Sequence, residues 1–400
     1  MSRVHFKRTC DSSRFGFFDY GFRTFFLLAP LYGALAVAFW VPAFLGWIAP
    51  PLAVSPSLLH AHEMIFGFAG AALAGFFLTA VPNWTSAPAL QGAPLAGLAS
   101  VWLAGRVAMA AVGPIPPPFA AIVDLAFLPL LALAVIGPLL AAGKPRNLVL
   151  LVPLALFWSA DAAMQAQFAG WTAHTAAGGA RVGIDILVLF ITVIGGRIVP
   201  SFTANALRAG GETALPRSLS ALDRAAIGAM ALLVLAEAAT GMSVMTGAVA
   251  ALACILNVVR LALWHGNRTL KAPILWVLHL GYLWLVVGLG LKAAAAFANA
   301  VPESVALHAL ALGAVGTMIF AVMSRAALGH TGRALKAPKA VVLAYLLVSL
   351  AAGSRIAASF ATDSFISLLG LSGLAWVAAA LLFLAVYTPI LMLRAKTGGD

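Results

Sequence analysis

The stretch LLHAHEMIFGFAGAALAGFFLTAVP (58–82) decides the fold. From Met64 to Pro82 it holds no ionisable side chain, and about 20 predominantly apolar residues are what a helix needs to cross the hydrocarbon core of a bilayer. Only helices and closed barrels satisfy every backbone hydrogen bond in lipid, and a continuous apolar run, unlike a short alternating one, selects the helix. At its start the stretch carries His60, His62 and Glu63. Such side chains are costly in lipid and mark sites or pathways.

Similar runs recur along the 400 residues, near 24–46, 92–113, 118–142, 147–169, 182–203, 222–240, 243–265, 272–297, 302–328, 338–360 and 365–393. With 58–82 they make twelve, so the fold expected is an all-α bundle of about twelve transmembrane helices. Composition agrees: 63% hydrophobic and 9% charged residues, with a mean hydropathy of +1.02, exclude a water-soluble globular protein, which is roughly a quarter charged. The domain organisation expected is an N-terminal tail (1–23), one transmembrane domain (24–393) and a C-terminal tail (394–400). The longest connection, about Thr203 to Leu222, leaves no room for a soluble domain.

The net charge of +12 would suggest nucleic acid in a soluble chain, but here the basic residues collect in alternate connections. Nineteen Lys and Arg fall on the side of the termini, against Arg181, Lys292 and Arg355 on the other. Basic loops are retained in the cytoplasm, so both termini are expected there, and no nucleic-acid partner is. Cys10 lies in the polar tail and Cys254 in an apolar run, so no structural disulfide is expected. The first apolar run has no small-residue cleavage site and reads as an anchor, not a signal peptide.

Helix direction gives each polar residue a depth at about 1.5 Å per residue. His60, His62, Glu63, Arg106, Asp124, Asp161, Asp185, Glu237 and His308 fall in the outer halves of their spans. A second group, Arg197, His279, Arg325 and His330, lies toward the cytoplasm. Arg106 with Asp124 reads as a charge pair between adjacent helices, whereas Glu63, Asp161 and Asp185 suit a proton or cation path or further charge pairs. His5 and His174 in polar segments, and His265 at a helix end, are poor candidates.

One spacing repeats. His62, Gly67 and Gly70 match His308, Gly313 and Gly316 as His-x4-Gly-x2-Gly, on spans that run in the same direction. Axial histidine is a common haem ligand, so a b-type haem held by His62 and His308, with glycines making room for the flat ring, is one reading. Close helix packing through glycine is the other. His60 and His62 are about 200° apart on a helix, so His60 would serve a second metal or support the first ligand. His279 and His330 are candidates for a further metal site, and Arg197 and Arg325 suit haem propionates. Cys-x-x-Cys-His is absent, which excludes c-type attachment.

Five segments in order resemble the hallmark stretches of the NnrS family: Gly21 to Phe26, His60 to Phe68, Val81 to Thr85, Gly195 to Pro200 and Ser324 to Arg333. The resemblance spans nearly the whole chain. It implies a bacterial inner-membrane protein containing haem and copper, linked to nitric oxide metabolism and nitrosative-stress resistance. Thr24 stands where that pattern leads one to expect proline. The chain is also loosely similar to the catalytic subunit of haem-copper oxidases, with twelve helices and histidines on the second and tenth. The sixth and seventh spans lack histidine, so that enzyme's copper-haem centre is not reproduced.

The leading expectation is a haem-binding and copper-binding membrane protein acting on nitric oxide or a derivative, with a haem-dependent oxidoreductase fed by an unidentified electron donor as the enzyme class this reading allows. Two rivals stand: a secondary transporter coupled through Asp161, Asp185 and Glu237, and a factor that assembles a metal or cofactor for a reductase.

Overall fold

The computed structural model describes residues 15–49, 53–143, 145–297 and 301–394. The tail positions His5, Cys10 and Lys396 lie outside the described residues. The chain is 80% helical with no strands among the described residues. It runs as α1 (Gly21–Phe44), α2 (Pro56–Thr85), α3 (Ala93–Ala110), α4 (Pro117–Ala141), α5 (Leu151–Phe168), α6 (Ala176–Ala209), α7 (Ser220–Thr240), α8 (Val244–Ala262), α9 (Pro273–Phe297), α10 (Glu303–His330), α11 (Lys339–Ala358) and α12 (Phe365–Met392). Ten of these are long and apolar enough to cross a membrane. The other two, α5 and α7, have 18 and 21 residues and are more polar, because they carry Asp161, Gln165 and Glu237, whose partners lie inside the protein.

The two ends of the described chain meet. Gly16 donates its amide to Met392 at 2.8 Å, and Arg23 reaches the Leu391 carbonyl at 2.8 Å. An even number of crossings puts both ends on one side, and these contacts close the bundle between α1 and α12. The side where the ends meet is called the terminal side below.

Three helices form the centre. In α2, α6 and α10 the most apolar stretch is 78%, 72% and 67% buried, against 33% in α8 and 39% in α4. Each of the three central helices widens into a π-helical segment: Glu63–Ala69 in α2, Ile191–Gly195 in α6 and Ala309–Gly316 in α10. Such segments release backbone carbonyls from the helical ladder and occur frequently at functional sites. Two of them begin immediately after His62 and His308, so the repeated spacing read in the sequence corresponds to a repeated local structure.

Three of the four glycines of that repeat are packing sites, Gly70 having no close neighbour. A Cβ at Gly67 would lie 2.8 Å from Arg106 and from Tyr32, one at Gly313 would lie 2.7 Å from the Trp284 ring, and one at Gly316 would lie 3.1 Å from Trp376. The flat groups these glycines receive are this chain's own side chains, as close helix packing in a membrane requires.

The sixth span is longer than its sequence suggested, 34 residues rather than the stretch 182–203, or about 51 Å. Its last turns expose Ser201, Asn205 and Arg208 while burying Thr203, Ala204 and Leu207. A polar face with an apolar back extends the helix into what hydropathy alone reads as connection.

Candidate metal centre

Five helices bring polar side chains to one buried point near the start of α2, on the side opposite the termini. His62 is fully buried. Its Nδ1 stands 2.7 Å from Glu63 Oε1, and its Nε2 stands 2.9 Å from Asp161 Oδ1 and 3.1 Å from Asp124 Oδ2. Asp161 and Gln165 are one turn apart on α5, and therefore share a face. The three ligand atoms of His62, Asp124 and Asp161 lie within 4.8 Å of one another. This is the one such trio among the described residues.

Around the trio, Arg106 pairs with Glu63 at 2.7 Å and with Asp124, and Tyr32 donates to Glu63. The charge pair expected between Arg106 and Asp124 is therefore present, with Glu63 as a third member. The π segment matters here, because the Gly67 carbonyl accepts from Trp102 Nε1 at 3.1 Å and the absent Cβ at Gly67 admits Arg106. Gly105 does the same for Asp124, which a Cβ would meet at 2.9 Å.

The donor set fits a divalent cation. Three carboxylates and one arginine leave a net charge of −2 with a neutral imidazole, and an uncompensated buried charge costs several kcal/mol. Glu63 Oε1 accepts a hydrogen bond from the Nδ1–H of His62, which leaves the Nε2 lone pair facing the two aspartates. A carboxylate behind a ligating histidine is the usual support of a metal site. The Gln165 amide nitrogen stands 2.9 Å from His62 Nε2 and 2.6 Å from Asp124 Oδ2, while its Oε1 is buried without a partner. Turning the amide over, which swaps atoms of equal size, adds a carbonyl oxygen to the set. Nitrogen and oxygen ligands of this kind suit zinc, iron, manganese or divalent copper, not monovalent copper, which prefers sulfur.

His60 and His308 form a different group. His60 stacks on Trp40 with ring centroids 4.1 Å apart, and its Nδ1 is buried without a partner. His308 and Arg355 both lie within electrostatic range of it. His308 Nδ1 donates to the Ser304 carbonyl at 2.7 Å, so its Nε2 keeps a lone pair for ligation. The histidine within electrostatic range of His308 is thus His60, while His62 has both ring nitrogens engaged among the acids. A pocket of about 60 Å³ between α1, α2 and α3 is lined by Trp40, His60, Tyr32 and Glu63, and so touches both groups.

Asp185 is not solvated at a loop end. It is fully buried, 2.5 Å from Lys292 Nζ, and Lys292 also lies 3.0 Å from Glu237. Glu237 in turn pairs with Arg181 at 2.5 Å, and Arg181 with Glu303 at 3.3 Å. Lys292 was counted by sequence among the loop cations, but it is wholly buried inside α9. Its position five residues before the end of an apolar run was the signal.

Toward the terminal side the expected second metal site does not gather. His279 Nε2 bonds Thr203 Oγ1 at 2.9 Å, and its Nδ1 is buried without a partner. His330 is exposed and packs on the Phe22 ring at 5.4 Å. Arg325 lies 3.8 Å from the centre of the Phe202 ring, and Arg197 is exposed. Along α10, Arg325 is about 25 Å from His308, so one haem cannot both bind His308 and reach that arginine.

Sequence reading missed Arg260, which it counted in a connection. Arg260 is buried and holds Asp223 at 2.8 Å, Tyr282 at 2.6 Å and the Thr192 carbonyl at 3.2 Å, the last freed by the π segment of α6. A Cβ on Gly196 would fall on the Arg260 guanidinium, which explains the glycine at 196. Gly196→Ala is expected to displace Arg260 and cost about 1–3 kcal/mol, as overpacking does. Thermal inactivation of the purified protein at lower temperature is the readout, and an unchanged profile would contradict the contact.

The family model described as NnrS protein matches residues 16–394, so the chain belongs to that family. No curated protein matches it.

Proposed function

With membership of the NnrS family as the premise, we propose that this chain acts in nitric oxide metabolism or nitrosative-stress resistance, by redox chemistry at a haem and a second metal. The observation that carries the reading is the buried His62, Asp124 and Asp161 trio with Glu63 behind the histidine. The second metal is held there. His62, named from sequence as a haem ligand, is better used at this centre, because two carboxylates already face its Nε2.

Haem falls to His308 and His60, two imidazoles from the two π-bearing helices α10 and α2. Arg355, whose Nε is buried without a partner, lies beside them and suits a propionate. A bound haem would supply one-electron chemistry. The chain's own part is to hold the imidazoles in place through Ser304 and Trp40, to exclude water with apolar walls, and to keep Glu63 and Asp161 at hand for protons. Localisation in a bacterial inner membrane with cytoplasmic termini follows from the basic loops, and an electron donor completes the reaction.

The test is an optical spectrum of the detergent-purified protein, oxidised and dithionite-reduced, with and without nitric oxide. The wild type is expected to show a b-type spectrum, and His308→Ala and His60→Ala to lose it while the protein still inserts. His62→Ala is expected to keep the haem and lose the other metal. A colourless, metal-free protein after expression with ample haem and copper would favour the transporter reading, with Asp185 and Glu237 as coupling groups.

A further inference from the structure

An apolar pocket with a cavity volume of about 90 Å³, open on one side, lies between α1, α2, α6 and α10. Its walls are apolar, formed among others by Phe26, Ala72, Phe190, Ile194, Met318 and Val322. The π segments of α2, α6 and α10 supply Ala69, Ile191, Gly195 and Val315 to the same lining. None of the polar groups described above enters it. An open pocket with walls this apolar takes an apolar guest.

Its terminal-side edge is basic. Arg197 sits between the lining residues Gly195 and Ile198, and Arg325 follows the lining residues Val322 and Met323 on α10. Arg325 reaches across to the Phe202 ring of α6, so it spans the two helices that flank the cavity. Neither arginine is paired with a carboxylate among the described residues. Ser201, Asn205 and Arg208 continue the exposed face of α6 from Arg197 to the end of the helix, where lipid headgroups lie.

We propose that an anionic phospholipid binds here, with an acyl chain in the central cavity and its phosphate between Arg197 and Arg325. The complementarity is of two kinds at once: an apolar chamber in the membrane interior, and unpaired guanidinium groups at the depth where a phosphate descends. Basic pockets between transmembrane helices on the cytoplasmic side bind such headgroups. The bound chain would pack against all three π segments and so support the helices that carry His62 and His308.

Native mass spectrometry of the full chain in mild detergent, mixed with phosphatidylglycerol or phosphatidylcholine, tests this. One phosphatidylglycerol per chain is expected to survive, in preference to phosphatidylcholine. Arg197→Gln with Arg325→Gln should weaken its retention about 30-fold, about fivefold for each arginine. Ala72→Phe, which fills the chamber and keeps both arginines, should also lose the lipid, while Arg208→Gln should not. Equal retention by the wild type and both test variants, or protection by inorganic phosphate instead of lipid, would overturn the proposal. So would loss of haem in place of lipid from the arginine variant.

Discussion

Lys292→Met is expected to be the most destabilising single substitution in the outer half of the bundle. Lys292 is wholly buried and lies 2.5 Å from Asp185 and 3.0 Å from Glu237. Methionine keeps most of the stem volume and removes the charge, leaving Asp185 with no cation and an Oδ1 that already lacks a partner. Breaking a buried pair in this way costs about 3–5 kcal/mol. Glu237 retains Arg181, so the loss concentrates on Asp185. The double variant Lys292→Met with Asp185→Asn should therefore recover much of the stability, since it leaves a neutral amide opposite a thioether. Thermal inactivation of the purified protein and its yield in membranes report both effects. A single variant as stable as the wild type, or a double variant worse than the single, would show that the network does not hold α6, α7 and α9 together.

The second large effect concerns the metal. Asp161→Asn removes a charge and a ligand oxygen from a centre where His62 Nε2 stands 2.9 Å away. Side-chain size hardly changes, so packing is preserved. Loss of a buried charged partner is worth about 3–5 kcal/mol, and each 1.4 kcal/mol is tenfold in affinity. Metal affinity is expected to fall on the order of 100-fold or more. Tyr32→Phe removes only a donor to Glu63, which acts on the metal through His62. Supporting groups of this kind are worth about 10-fold to 100-fold, so its effect should be the smaller. Competition with a chelator of known affinity ranks the two. Equal affinity in Asp161→Asn and wild type would remove Asp161 from the ligand set.

Much of this architecture is legible in the sequence, for a physical reason. Lipid forces each crossing to be a helix of nearly fixed length, so apolar runs such as 272–297 give α9 to within a residue. Ionisable residues in those runs stand out against 63% hydrophobic residues, and they gave the outer polar layer. What could not be read is which residues meet. His62 and His308 share a spacing and a depth, yet rotation about α2 directs His62 to α4 and α5 and leaves His60 on the side of His308 and Arg355. That rotation depends on tertiary packing at Gly67, Arg106 and Trp102.

Two further misses have the same origin. Lys292 and Arg260 near helix ends are indistinguishable by count from loop cations, and only the acids on neighbouring helices, Asp185 and Asp223, show that they are internal. Gln165 and Tyr32 carry no charge and no spacing signal, so their place at the centre emerges only from the fold. The end of α6 was lost for the opposite reason. Its polar face at Ser201, Asn205 and Arg208 lowers the hydropathy of residues that are nevertheless helical.

The measurement that tests the central claim most directly is X-ray absorption at the edge of the metal bound to the purified full-length protein, with haem iron measured separately. The account predicts about one additional metal per chain, surrounded by nitrogen and oxygen only, with a single imidazole. A sulfur ligand, two or more imidazoles, or no additional metal would contradict a centre built on His62, Asp124 and Asp161.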